Sequence, residues 1–344
     1  MCIAIWSTNN QLGYRLILAF NRDEFLNRPS LPAHWHSFEQ LNPEYQAFPP
    51  VPCSSSPTSS SPSTTSKGST NKAQDCVSVG RHINQKDQRK ENDILSGIDT
   101  VTGATWLGIS KHSGKFAFLT NVETQADRDQ EAVHSKKLSF KLSRGYNLII
   151  GQIGRTGNEE DQIEFFCNKD PEGLYGADLS NNKECGGRLE DQRVYGISNG
   201  IANQAPILPK VAHGVHLMED CLSRLTVTGE KCDQVDQSAV EMSLFNLLSQ
   251  VTNDSPKDTS SNILIRPHHR LMTPDTPISS DTWCGTKTQT ILFASKSPKT
   301  RITLVERDAF QIQPKEPSTN THPVWLGDDM SHWRRFEFDL TSDS

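Results

Sequence analysis

The chain opens on two apolar runs, "CIAIW" (2–6) and "YRLILAF" (14–20), with the polar cluster "STNNQLG" between them. Short runs rich in β-branched and aromatic residues, bounded by turn formers, read as strands, and two in succession read as a hairpin. The same pattern recurs. "ATWLGIS" and "KFAFLTN" flank "KHSG", "YNLIIGQI" precedes "QIEFFC", and "TQTILFAS" and "TRITLVER" flank "KSPK". "RVYGISN" is a further short strand. The period changes in "LPKVAHGVHLMEDCLSRLTV", where Val211, Val215, Met218, Leu222 and Leu225 fall on one helical face. It changes again in "SAVEMSLFNLLSQV", with Val240, Leu244, Leu247 and Leu248 inward, and the segment Glu131 to Leu142 is a third helix candidate. Many strands with few helices predict an α+β protein whose helices cover the outer faces of antiparallel sheets. Periodicity alone leaves the number of sheets open.

Composition changes that picture in one place. Hydrophobic content is 34% and mean hydropathy is -0.58, low for a packed chain of 344 residues. The polar excess is concentrated in "PPVPCSSSPTSSSPSTTSKGSTNKAQDC" and "NQKDQRKEND". Neither segment has apolar area enough to offset the cost of ordering its backbone. Residues 49–93 are therefore expected to form a disordered insertion in a single domain built from 1–48 and 94–344. The balance of 35 basic and 41 acidic residues gives a net charge of -6, which argues against a nucleic-acid partner. No apolar run approaches the roughly 18 residues of a membrane span. Asn9, Asn10 and Arg15 interrupt what would be the apolar core of a secretory leader. Eight cysteines, with no Cys-x-x-Cys pair among them, predict free thiols in a reducing, cytoplasmic compartment. The pairs His213/His216 and His268/His269 lack a third ligand, so no metal is expected.

Cys2 changes the picture again. Aminopeptidase removes an initiator Met readily when a small residue follows. The mature chain would then begin with a residue carrying both a thiol and an α-amine, whose unperturbed pKa near ~8 lets it take the thiol's proton. The second apolar run ends in "NRDE" (21–24). If the first two strands pair, Arg22 and Asp23 come within reach of Cys2. A carboxylate there would hold the α-ammonium, and a guanidinium would favour the thiolate.

The opening "MCIAIW…YRLILAFNRDEFLNRPS" resembles the NRDE-motif, or transport and Golgi organisation, family. Further matches follow in order at "ILSGIDTVTGATWLGIS", "FLTN", "YNLI", "YGIS" with Asn199, "GTKTQTIL", "ER" and "SHWRRFEF". The resemblance implies a four-layer αββα sandwich similar to the N-terminal nucleophile hydrolases. It implies Cys2 as nucleophile, Arg22 and Asp23 as the residues that orient it, and Asn121 and Asn199 as oxyanion donors. Asn21, Glu24, Thr286 and Lys287 would line the substrate site. The family usually has Arg and Asn where this chain has Lys287 and Gln289, and Lys keeps the charge without the bidentate fork. The implied role is in secretory-pathway organisation and in lipid or haem homeostasis, with Golgi or mitochondrial association. The reaction would be hydrolysis or transfer of a small acyl amide or thioester. The alternative is a carrier that holds haem or an acyl-coenzyme A without turnover.

The insertion yields the first prediction. Deleting Pro50 to Glu91 is expected to leave the melting temperature unchanged, because the segment has no core to lose. A large drop on calorimetry would show that it packs on the domain.

Overall fold

The structure, a computed structural model, describes residues 2–37, 93–122, 145–156, 159–167, 193–200, 207–227, 236–255, 258–271, 281–296, 299–313 and 322–340. In chain order the elements are β1 (Ile3–Thr8), β2 (Tyr14–Phe25), β3 (Ser30–His36), β4 (Ile94–Asp99), β5 (Leu107–Ser110), β6 (Lys115–Val122), β7 (Gly145–Gln152), β8 (Gln162–Cys167) and β9 (Val194–Ile197). Then come helices α1 (Pro209–Val227) and α2 (Gln237–Leu248), followed by β10 (His268–Leu271), β11 (Asp281–Ser295), β12 (Arg301–Asp308), β13 (Phe310–Ile312), β14 (Pro323–Trp325) and β15 (Trp333–Asp339). One sheet has the order β15-β12-β11-β2-β1-β9, with β10 also on β11. The other is a meander of β3 to β8 in sequence order, and β13 and β14 form a small ribbon. The hairpins expected from the apolar runs are present, and so are both expected helices.

The two sheets face each other across an apolar core. Ala4, Trp6, Leu16, Leu18 and Phe20 meet Leu107, Ile109, Phe116, Phe118 and Ile149 there, and Trp6 packs edge-on against Phe118 at 5.3 Å between centroids. The alternate residues Ile3, Ile5, Ile17 and Ala19 form a second core beneath Val211, Met218, Val240, Leu244 and Leu248 of the helices. β1 and β2 are thus buried on both faces, which is why they read as continuous apolar runs. α1 lies directly on the sheet. A Cβ at Gly214 would strike Ile5, and one at Gly196 would lie 2.9 Å from Val215 and 3.0 Å from Val211.

The expected four-layer αββα sandwich is not what is found. Of the described residues 52% are in strands and 16% in helices, and both helices cover the same sheet. The layers are helix, sheet, sheet. In β5 to β8 buried and half-exposed residues alternate, the signature of a sheet with only one face in a core. Among the described residues no helix covers its outer face, which carries an open groove of about 610 Å³ bordered by Ile94, Ala117, Ile150, Lys115 and Glu164. Helical periodicity was unambiguous only between β9 and β10, and both helices formed there. The expected insertion at 49–93 and the candidate helix Glu131 to Leu142 fall outside the described residues, apart from Asp93.

A buried polar row fastens the helices to their sheet. Asn21, Gln289 and Arg307 are direct cross-strand partners on β2, β11 and β12. Asn21 Nδ2 donates to the carbonyls of Leu248 and Ile263, both at 2.9 Å. Gln289 Nε2 donates to Leu248 O at 2.9 Å and to Asn21 Oδ1 at 3.2 Å. Arg307 Nε donates to Gln289 Oε1 at 2.8 Å, and its guanidinium lies 4.2 Å from the Phe245 ring and 5.1 Å from that of Trp333. Burial brings its pKa down to about 10, which still leaves it charged at neutral pH. Asn21→Leu strips a donor from two buried carbonyls and is expected to cost about 2–3 kcal/mol. The check is a lower urea midpoint at unchanged m-value; a midpoint equal to that of the wild type would show that the row is not a structural fastening.

Candidate active site

Ile3 pairs with Asn21, so the next position, Cys2, lies beside the end of β2. Because side chains alternate along a strand, the four residues of "NRDE" divide between two layers. Arg22 and Glu24 share the inter-sheet face with Cys2, whereas Asn21 and Asp23 face the helices. Asn21, a sequence candidate for the substrate site, is occupied in the row just described.

On the inter-sheet face Arg22 is 3% exposed and its guanidinium carbon lies 3.7 Å from the centre of the Trp106 ring. The ring rests on Gly97, where a Cβ would come within 2.6 Å of it. Nη2 of Arg22 is 3.8 Å from Glu24 and 4.0 Å from Asp99, and Nη1 has no hydrogen-bond partner among the described residues. Burial works against the charge of Asp99. Its bond from Arg28 Nε at 2.6 Å and the amides of Val101 and Thr102 prevail, holding its pKa below the ordinary carboxylate value.

The Cys2 thiol is buried, with Sγ 4.0 Å from the Asp23 carbonyl oxygen. Burial pushes its pKa up, while the charge of the chain's N-terminus and that of Arg22 pull it down without prevailing. Lys287 occupies a bulge where the β11–β2 register shifts between Thr286 and Thr288. Its Nζ donates to Leu26 O at 3.2 Å and to Arg28 O. Burial, helped by Arg22, brings its pKa down to about 8.

On the helix face Asp23 Oδ1 accepts the Thr286 hydroxyl at 2.6 Å, and Thr286 Oγ1 in turn accepts the Ile265 amide at 2.9 Å. Burial raises the Asp23 pKa; the N-terminal charge, Lys210, the Thr286 hydroxyl and His268 all oppose that rise.

The third side of the site comes from the chain after β9. The Ser198 hydroxyl donates to the Cys2 carbonyl at 2.7 Å. Ser198 O accepts from Thr120 Oγ1 at 2.8 Å and from Asn147 Nδ2 at 3.0 Å, and Asn147 also reaches Gly200 O at 2.8 Å. Asn199, held between these anchors, is 4% exposed, and its Oδ1 has no partner among the described residues.

Asn121 is exposed, on the opposite face of β6 from the core. The fold thus gathers Cys2, Arg22, Glu24 and Lys287 on one face, has Asp23 and Thr286 on the other, sets Asn199 beside Cys2 and leaves Asn121 outside. Sequence reasoning missed Thr120, Asn147, Trp106, Asp99 and Lys210. The signal for Thr120 was present: with Phe116 and Phe118 inward, the next inward position is Thr120, and Asn121 must point away. Among the described residues no group of three His, Cys, Asp or Glu is placed to hold a metal ion.

The family model described as transport and Golgi organisation 2 matches residues 1–43, 79–141 and 128–311. No curated protein matches the chain.

Two predictions follow from the charges. Arg22→Ala removes a cation that favours the thiolate, so the pH profile of Cys2 alkylation by iodoacetamide is expected to move to higher pH; an unaltered profile would make Arg22 a packing residue only. Lys287, depressed to about 8 in the fold from an ordinary 10.5, binds fewer protons folded than unfolded between those values. Stability contributed at this position therefore rises with pH across that window. Lys287→Arg should flatten that rise, read as urea midpoints at the two ends of the window.

Proposed function

The chain belongs to the transport and Golgi organisation 2 family, and we propose that it supports secretory-pathway and lipid homeostasis as an N-terminal cysteine hydrolase acting on a small acyl amide or thioester. The observation that carries this reading is the setting of Cys2. A buried guanidinium with an open Nη1 and a buried amide with an open Oδ1 flank a thiol at the head of a strand. Buried polar groups are nearly always paired, so open ones beside a nucleophile point to a ligand.

In the proposed reaction Met1 has been removed and the Cys2 α-amine takes the proton from Sγ. Sγ bonds to the acyl carbonyl carbon, and the C–N or C–S bond of the substrate breaks. The departing amine or thiol takes the proton back. Water then cleaves the acyl thioester, releasing the acid and restoring the thiol. Asn199 is the remaining candidate for donating, through Nδ2 and not through its open Oδ1, to the carbonyl oxygen as negative charge develops on it, a contribution of about 3–4 kcal/mol in comparable sites. Arg22 keeps the thiolate accessible and Asp23 holds the amine. The setting proposed is cytoplasmic, in association with Golgi or mitochondria. No helix among the described residues is long and apolar enough to cross a membrane.

One observation favours a second reading. Burial raises the Cys2 pKa, which keeps the thiol protonated and unreactive while Met1 remains. The same place would then hold an acyl-coenzyme A or haem without turnover. The two readings part on the N-terminus. Intact-protein mass spectrometry of the native chain is expected to show Met1 removed. A β-lactone or activated thioester probe is expected to acylate Cys2 ahead of the buried Cys221, and Cys2→Ser should fold and lose the adduct. Retained Met1, or Cys2 labelled no faster than Cys221, would overturn the hydrolase and leave the carrier.

A further inference from the structure

Arg22 is 3% exposed, yet its hydrogen-bonding capacity is largely unused. Trp106 covers one face of the guanidinium at 3.7 Å, so an acceptor has to meet its N–H groups in the plane, along an edge. Nη2 is 3.8 Å from Glu24 Oε2 and 4.0 Å from Asp99 Oδ2, beyond hydrogen-bonding length. Both acids are engaged elsewhere. Asp99 Oδ2 accepts Arg28 Nε at 2.6 Å and its Oδ1 accepts the amides of Val101 and Thr102, while Glu24 Oε1 accepts the Phe25 amide at 2.9 Å. Nη1 is buried with no partner among the described residues. A buried charge left without an acceptor costs free energy that a ligand can recover.

The strand register sets this open edge beside the thiol. Ile3 pairs with Asn21, so one step further Cys2 stands opposite Arg22 on the same face, where opposed Cβ atoms lie about 5 Å apart. An acceptor bound at Nη1 is therefore only a few bonds from a carbonyl carbon at Sγ. Charge limits what that acceptor can be. Arg22, Arg28 and Lys287 gather at the end of β2 with Glu24 and Asp99 between them. Asp308, which also acts on Lys287, is gripped by both Nη atoms of Arg334 at 3.0 and 2.7 Å. One further negative charge balances the group. A phosphate dianion would set two such charges beside the carboxylates of Glu24 and Asp99. A carboxylate brings one, and it matches the planar fork of a guanidinium.

We propose that the site at Cys2 selects acyl compounds carrying a free carboxylate within a few bonds of the scissile carbonyl, with Arg22 Nη1 as the donor that binds it. The inference rests on the hydrolase reading above and narrows its substrate class. The acid belongs either to the acyl chain or to the leaving group. Both present the same anion to Nη1, and paired probes separate them.

The test follows acylation of Cys2 by intact-protein mass spectrometry on the full chain lacking Met1. One probe pair is the mono(phenyl thioester) of glutaric acid and its methyl ester, with the acid on the acyl side. The other is S-acetyl thioglycolic acid and its methyl ester, with the acid on the leaving group. In each case Sγ bonds to the acyl carbonyl carbon, the C–S bond of the probe breaks, and the Sγ proton ends on the departing thiol. The charged probe of at least one pair is expected to react about tenfold faster than its ester, relative to the same ratio for free cysteine, which is the worth of a charge-assisted bond. Taking the ratio cancels the reactivity of the thiol itself, which Arg22 also affects. Arg22→Met is expected to bring the ratio to that of free cysteine, and Arg22→Lys to keep part of it. Should Arg22→Met fail to fold or to react, wild type still reports: monomethyl glutarate is expected to slow iodoacetamide labelling of Cys2, and chloride at equal ionic strength is not. Equal rates within both pairs, a preference that survives in Arg22→Met, or labelling that monomethyl glutarate does not slow would overturn the carboxylate site and leave the hydrolase standing. A Cys2 that no probe acylates overturns both.

Discussion

A strand buried on both faces has to satisfy two neighbours with one sequence, and β2 does so by alternation. Its even-numbered residues from Leu16 to Phe20 fill the space between the sheets, while Ile17 and Ala19 meet the helices. When the strand turns polar at Asn21 the alternation continues, and each layer receives one charged and one polar or acidic group. Burying a charge without compensation costs several kcal/mol. Each of these residues therefore dictates others. Arg22 requires the Trp106 face and the acids Glu24 and Asp99. Asp23 requires Thr286 and the cations beyond it. Asn21 requires two backbone carbonyls and Gln289. Much of the polar interior of the first sheet is compensation for four residues.

This division puts one motif into both the helix-facing and the inter-sheet layer. The half that faces the helices ties α2 and the following loop to the sheet. The half that faces the second sheet borders Cys2. A substitution at Asn21 and one at Arg22 are neighbours in sequence but act on different layers. Lys287, standing in a bulge, is the exception in the β11 register: the extra residue lets its side chain clamp the turn after β2 instead of joining the row at Gln289.

Much of the fold was legible because period and burial agree. The doubly buried β1 and β2, the later hairpins and both helices are encoded in local patterning that the tertiary structure leaves intact. The layer count was not. It came from resemblance, whereas the half-exposed alternating positions of β5 to β8 describe a sheet with one face in a core. β3, β10 and β15 were missed because "SLPAHWH", "HHRL" and "WRRFEFD" are polar or charged and acquire strand structure by pairing with established neighbours. Around Cys2, the nearness of Arg22 and Asp23 was legible from the expected pairing of the first two strands, and Asn199 came from resemblance; the fold brings all four together. Asn121 was placed by motif alone, and strand parity turns it outward. Lys210 carried no local signal, since a lysine after a proline at a helix start looks like surface.

The pairing of β2 with β11 has a temporal consequence. Asp23 and Thr286 are 263 residues apart, so at roughly 5–20 residues per second of synthesis the amino end waits tens of seconds for its partner strand to exist. During that interval the head of the chain lacks the neighbour that closes its far side. The hairpin of β1 and β2 is made well before β9 joins its β1 edge and β11 its β2 edge. The depth of Cys2 in the finished protein is thus no barrier to earlier trimming: the order of translation separates exposure from enclosure.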